Sequence, residues 1–569
     1  MKPARTVPVV KRRARKPKVK TGCGTCKFVL PLFLCPARRV RRRLTLCRNR
    51  RVKCDEAFPA CFRCSKTGRE CKGYGAKTTD ALVPLEHDIF LDPITRLPFG
   101  TEQERRTFHF FSTKIASDIA GFLPSDFWNK LILQASHYDP AIFHAVIALG
   151  SVHETYEGEG PGHFRHTVLA PQDFALEQYD KALANIRSRL LSGKPQSGEY
   201  VLLSCILFIC LETFQGNHKA ALVHLEGGLK LLGSWLHKDG QPVLSSDSVS
   251  RPTRQFLEEE LVPLFTRLDV QATTYLTSRS LQELSPRSST TEPIMPTRFE
   301  SLTDANNHLA DLVHWMLYSN NGAHNMMYWM VNNPLAQLNI PPLQTTAADG
   351  SLPSIPDRVW KKIMKIETEH KRILKQWLAA LNLFLNENTN RDIKDSRAAL
   401  MLRILYTSTT IIKAASLYNH DLEYDKYIPK FERVITWAEY LIKFQTSATE
   451  KHTPLYSFEM NILPPLHYCS TRCRDPKLRR RALALLEDTP RREGMWDSAM
   501  LAAIARYIMK EEEAGLGEVF SAEQIPAQAR ICILDKVPML EEKKCWIQYC
   551  KGVRNPYAML DIKEALITW

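Results

Sequence analysis

The chain has 569 residues, 44% hydrophobic and 24% charged, and its formal net charge is +16. That composition describes a soluble globular protein long enough for several domains and a substantial core. Its most apolar runs, residues 28–35 and 201–211, fall well short of the ~20 residues needed to span a bilayer, so no membrane span is expected.

The charge is unevenly spread. Residues 1–77 hold 24 Lys and Arg against the three acids Asp55, Glu56 and Glu70; the remaining residues hold 53 bases and 58 acids. A cationic head on a mildly acidic body suits a polyanionic partner, bound by neutralising phosphates and releasing counterions. Residues 1–20 form a basic arm. Within it, Lys11-Arg12-Arg13-Ala14-Arg15-Lys16-Pro17-Lys18 has the composition of a nuclear import signal or an additional phosphate-binding arm. The opening Met1-Lys2-Pro3-Ala4-Arg5 has no apolar core of signal-peptide length, so the expected setting is reducing and intracellular.

Eight of the 15 cysteines lie in the first 71 residues. Six residues separate Cys54 from Cys61, two separate Cys61 from Cys64, and six separate Cys64 from Cys71. Two cysteines two residues apart can face one ion from a tight turn, as tetrahedral zinc requires. Pro59 would bend the chain back between ligands. Cys23-Gly24-Thr25-Cys26 repeats the two-residue spacing upstream, and Cys47-Arg48-Asn49-Arg50-Arg51-Val52-Lys53-Cys54 is a basic loop between cysteines six residues apart.

These motifs resemble the fungal binuclear zinc-cluster transcription factors, in which six thiolates hold two zinc ions and a short basic helix reads DNA. The resemblance implies a cluster over residues 21–74, with metal ligands Cys23, Cys26, Cys54, Cys61, Cys64 and Cys71. In it, Cys23 and Cys61 would bridge the two ions. It also implies that Arg50, Arg51 and Lys53 read bases of a short G·C-rich half-site in double-stranded DNA, where guanine offers O6 and N7 as acceptors. Arg63, Lys66 and Arg69 would meet phosphates.

This chain departs from the pattern between the second and third ligands, where 27 residues stand in place of six. Removing 21 residues, either 27–47 or 28–48, restores an unbroken motif. The expectation is an unspliced intron; the alternative is a translated insertion over about 28–48. If translated, the longer connection costs about 1.3 kcal/mol in closure entropy. Replacing Cys26 by Cys47 would cost about 2 kcal/mol by the same relation. Structural zinc supplies roughly 10–16 kcal/mol in finger peptides, so metal binding survives either choice. The helix is more fragile: Pro31 and Pro36 would break one continuing from Cys26, whereas ligation by Cys47 keeps 48–53 intact.

Residues 75–100 read as a linker. The body, 101–569, is expected to be all-helical, so the fold class is mainly α. Thr101 and Glu104 form a capping-box signature before Phe108, Phe110, Phe111 and Ile115. Pro124 and Ser125 open a second helix carrying Phe127, Trp128, Leu131 and Leu133, and Asp139-Pro140 is an N-cap followed by a first-turn proline. Helical period continues from Ala175 to Leu190. A helix pair follows, 199–214 and 219–236, across Gln215-Gly216-Asn217. Pro- and Ser-rich breaks fall at 239–252, 285–296 and 333–356. Helices resume near 358–385 and 396–418, and a last one spans 496–513. The layout from Pro84 resembles the helical regulatory domain of the same family, whose opening is matched by Phe122-Leu123-Pro124-Ser125-Asp126-Phe127-Trp128 and 141–154.

No catalytic pattern emerges. His153-Glu154 lacks the second histidine of a zincin, Gly193-Lys194 lacks the remainder of a phosphate loop, and no nucleophile elbow is present. His137, His144, His218 and His224 suit packing or capping. The reading is a nuclear, zinc-dependent regulator of transcription by RNA polymerase II and not an enzyme. It would engage DNA and the transcription machinery, control metabolic or secondary-metabolite genes, and leave homodimerisation open. The competing reading is a zinc-stabilised protein-interaction module whose DNA binding the insertion impairs.

Overall fold

The computed structural model divides the chain into two units, Met1–Asp88 and Ile89–Trp569. It describes residues 100–123, 125–159, 173–191, 198–238, 241–242, 255–276, 292–318, 357–388, 392–415, 421–447, 456–552 and 561–569. All belong to the second unit.

The body opens as the local signals dictate. Thr101 Oγ1 accepts from the Glu104 amide at 3.2 Å, and Glu104 Oε2 accepts from the Thr101 amide at 2.8 Å, so the capping box forms and starts α1 (Glu102–Phe110). The helix runs through a π-helical turn, Phe111–Ile115, into α2 (Ala116–Ala120). A second π-helical turn, Phe127–Leu131, leads to α3 (Ile132–Tyr138). Phe108, Phe111, Phe127 and Trp128 are buried in the core. Asp139 caps α4 (Pro140–Glu159) by accepting from the Ala141 and Ile142 amides, and its other oxygen pairs with Arg189 of α5 (Asp173–Leu191).

The expected helix pair is α6 (Gly198–Gln215) and α7 (His218–Leu236), joined at Gly216 with φ +86°. By length and composition alone α6 could cross a membrane, but it is 83% buried within the body and serves as its central core helix. A two-residue hairpin, β1 (His237–Lys238) with β2 (Gln241–Pro242), follows α7. Next come α8 (Val262–Tyr275), α9 (Leu302–Tyr318), α10 (Asp357–Glu387), α11 (Ile393–Ala415) and α12 (Ile428–Ser447). Phe299 joins α9, α10 and α11 in a smaller second core around Trp377, whose indole N–H donates to the Ala305 carbonyl at 2.9 Å. Met401, Ile404 and Ile411 of α11 also reach the main core, so α11 links the two.

From Tyr456 on, the last fifth of the chain surrounds the helix expected at 496–513 with elements that periodicity did not foretell. Helices α13 (Leu463–Arg472) and α14 (Pro476–Asp488) pack with α15 (Ser498–Glu512). A small sheet, β3 (Tyr456–Ser457), β4 (Arg492–Glu493) and β5 (Trp496–Asp497), lies beside them. Ile462 provides no side-chain cap for α13; instead the Glu493 carboxylate accepts the amides of Asn461, Ile462 and Leu463 at 2.8–3.2 Å. The body is mainly helical, yet it does not end helically. Strands β6 (Ile531–Met539), β7 (Lys544–Lys551) and β8 (Lys563–Thr568) form an antiparallel sheet in the order 6-7-8. Its apolar alternation is broken by Lys536, which occupies a buried position of β6.

Candidate functional site

Every site residue expected from the sequence lies outside the described residues. This holds for the ligands Cys23, Cys26, Cys47, Cys54, Cys61, Cys64 and Cys71 and for Arg50, Arg51, Lys53, Arg63, Lys66 and Arg69. Among the described residues no group of three or more His, Cys, Asp or Glu could hold a metal. The seven cysteines beyond Cys71 are free thiols in the body, six of them buried. Burial pushes the Cys205 and Cys473 thiols up to about 12 and Cys545 to about 11, so they pack as small hydrophobes rather than serve as thiolates.

The histidines in the body also pack. His144 Nδ1 lies 2.7 Å from Gln178 Oε1, His218 Nδ1 3.1 Å from the Tyr275 hydroxyl and His224 Nε2 3.1 Å from the Tyr179 hydroxyl. His137 meets Phe108 edge-on. His153 stacks on Phe214 with centroids 3.9 Å apart, while Glu154 pairs with Arg106 at 3.4 Å.

Two features of the body stand out physically. The first is a buried ionic lattice. Arg474 pairs with Glu512 at 2.6 Å and Asp421 at 3.1 Å; Arg479 reaches Glu512 at 2.7 Å, and Arg472 reaches Asp421 at 2.6 Å. Glu512 Oε1 also accepts the Ile531 amide at 2.6 Å, tying β6 to α15. Burial raises the Glu512 pKa, but Arg474 and Arg479 outweigh it and hold the carboxyl below its usual range. The second feature is a cavity of about 340 Å³ between the two cores, bounded by α8, α9, α11, α13, Trp496 and β6. Its wall is predominantly apolar, with Leu309, Val313, Met316 and Ile533 among its residues.

Comparison with known proteins supplies what the described geometry does not. Residues 45–80 match the fungal Zn(2)-Cys(6) binuclear cluster domain, and residues 106–316 match the fungal specific transcription factor domain. The chain carries the two domains of a fungal zinc-cluster transcription regulator. The cluster match takes in Cys47, Cys54, Cys61, Cys64 and Cys71 and begins beyond Cys23 and Cys26.

Among relatives of this regulator, the aspercryptin biosynthesis cluster-specific transcription regulator of Emericella nidulans is 25% identical over 90% of this chain and 94% of its own length. A transcription regulator of Purpureocillium lilacinum is 30% identical over 32% of this chain and 47% of its own. The white-opaque regulator 2 of Candida albicans shares 36% identity over 16% of this chain and 15% of its own. No solved structure matches the chain.

Proposed function

We propose that the regulator acts in the nucleus and uses its head to bind double-stranded DNA in a sequence-dependent way, governing transcription by RNA polymerase II of a biosynthetic gene set. The observation that carries the reading is the cluster match at residues 45–80, which takes in the basic loop Arg48–Lys53 between Cys47 and Cys54 within a head of net charge +21. The Emericella nidulans relative is named for a biosynthetic cluster and aligns along most of both chains, which supports the choice of gene set. The relatives are transcription regulators, and the reading assigns no catalytic step.

Sulfur donors alone make up the ligand set, and thiolates at this spacing fit zinc. Cys54, Cys61, Cys64 and Cys71 would hold the ions with Cys23 and either Cys26 or Cys47; bound zinc would fix the fold of the head. A match that starts at residue 45 favours Cys47 as the ligand preceding the basic loop. Arg50, Arg51 and Lys53 would then face base edges in the major groove of a G·C-rich half-site, with Arg63, Lys66 and Arg69 on phosphates.

The test is metal content beside DNA binding on the full chain. Two zinc ions per chain should be found, and Cys61→Ala should lose more metal than Cys71→Ala because it removes a ligand shared by both ions. A chelator should abolish DNA binding while the helical signal of the body persists. Zinc retained with no salt-dependent DNA affinity would favour the protein-interaction module instead. Sequencing the mature transcript across codons 23–54 decides the insertion; its presence in most messages would show that it is translated.

A further inference from the structure

The cavity in the body is charged in an uneven way. Four cationic side chains line it: Arg267, Lys413, Arg472 and Lys536. Three are balanced by carboxylates. Arg267 pairs with Glu459 at 2.8 Å, Lys413 with Glu367 at 3.5 Å and Arg472 with Asp421 at 2.6 Å. Lys536 has no such partner among the described residues. Its ammonium rests over two rings, 4.4 Å from the Trp496 centroid and 4.9 Å from that of Tyr275. Two other lining residues, Ser408 and His467, bring buried polar atoms that lack a hydrogen-bond partner among the described residues, Ser408 Oγ and His467 Nδ1.

A charge buried at 7% exposure without a counter-ion is costly, because its lost hydration is not replaced. Ring faces return only part of that loss. Burial accordingly depresses the Lys536 amine to about 8, with Cys545 and Asp535 opposing the shift. At neutral pH it is still mostly protonated, so the cavity holds one positive charge that no carboxylate among the described residues pairs with at salt-bridge distance, within an apolar wall. A volume of about 340 Å³ falls in the range of small-molecule sites, which combine apolar lining with a few placed polar groups.

We infer that this cavity is a binding site for a small amphipathic carboxylic acid, its apolar body against α8, α9 and β6 and its carboxylate on Lys536. A neutral ligand would leave the charge exposed to desolvation, and a cation would add repulsion. A monoanion alone completes the pairing already made at the other three cations. The inference concerns the body and stands whether or not the head reads DNA.

Calorimetric titration of the full chain with two matched pairs tests it: decanoate against decan-1-ol, and 2-naphthoate against 2-naphthylmethanol. Each acid should bind about tenfold more tightly than its alcohol, the gain expected of a charge-assisted contact worth ~1.4 kcal/mol. Lys536→Met should erase that preference and leave the alcohols unchanged, while Ala310→Phe, which fills the space beside α9, should weaken both classes. Lys536→Met should also unfold at a higher temperature, because it removes the unpaired buried charge. Were Lys536→Met not to fold, Lys536→Gln and the comparison of acid with alcohol on the unaltered chain would still decide. Failure of both acids to bind, acids no tighter than alcohols, or a preference retained in Lys536→Met would each overturn the assignment.

Discussion

In the first 77 residues 24 Lys and Arg stand against three acids, whereas in the C-terminal part of the body arginines sit inside the fold beside carboxylates. Arg474 and Arg479 are fully buried and Arg530 nearly so, held by Glu512, Asp421 and Asp425. The same side chain thus plays opposite parts. Where the sequence supplies few acids, the charge suits a polyanion. Where partners are supplied by the fold, arginine's planar fork cross-links helices that also pack into the main apolar core. Net charge therefore separates a nucleic-acid-facing region from a self-satisfied one, and counting arginines does not.

Taking one carboxylate out of the body should have the largest effect. Glu512→Ala leaves Arg474 and Arg479 buried without their shared partner and frees the Ile531 amide. We expect a loss of about 3–5 kcal/mol in unfolding free energy by chemical denaturation, with zinc content of the head unchanged. A loss below 1 kcal/mol would mean that the lattice is not the brace described.

A packing change should have the next largest effect. A Cβ on Gly228 of α7 would approach Phe265 of α8 to 2.5 Å, and Phe265 is fully buried. Gly228→Val should therefore destabilise the body by about 1–3 kcal/mol through overpacking, again by denaturation.

The smallest effect distinguishes the regions by pH. Burial, aided by Arg492, lowers the His218 pKa to about 3, and burial lowers that of His467. The unfolded chain takes up protons at these histidines below pH 6.5, but the folded body refuses them. Their contribution is thus fully present above pH 6.5 and declines as pH falls toward 3. His218 should cost about 1 kcal/mol per pH unit in that window, and His467 acts in the same direction. Glu512, held below its usual range, adds its own loss only under more acidic conditions. Thermal melts at pH 7 and 5.5 should show the body weakening, and His218→Gln should flatten that dependence.

What could be read beforehand was what is local. The capping box at Thr101, the Asp139 cap and the turn at Gly216 depend on neighbours within a few residues, and each was legible. Helices α13 and α14 were not, because Pro464 and Pro465 look like breakers although they occupy the first helical turn, and Arg472 and Arg479 look like solvent residues although they are buried. Lys536 masks the buried face of β6 in the same way. The cavity was invisible because its wall is assembled from residues as far apart as Arg267 and Lys536. For the head, spacing within a short segment carries nearly all the information, and the insertion before Cys54 is the one feature the motif does not explain.

The head is expected to read sequence and not merely to bind polyanions. The direct measurement is the affinity of the full chain and of Arg51→Ala for a duplex selected from a random pool and for its scrambled counterpart, at several salt concentrations. Arg51→Ala should lose about 1–3 kcal/mol on the selected duplex and little on the scrambled one. Replacing Arg12, Arg13 and Arg15 together should weaken both duplexes alike and lower the salt slope by about one per lost phosphate contact. Equal weakening of both duplexes by Arg51→Ala would contradict the account, leaving that side chain a purely electrostatic role.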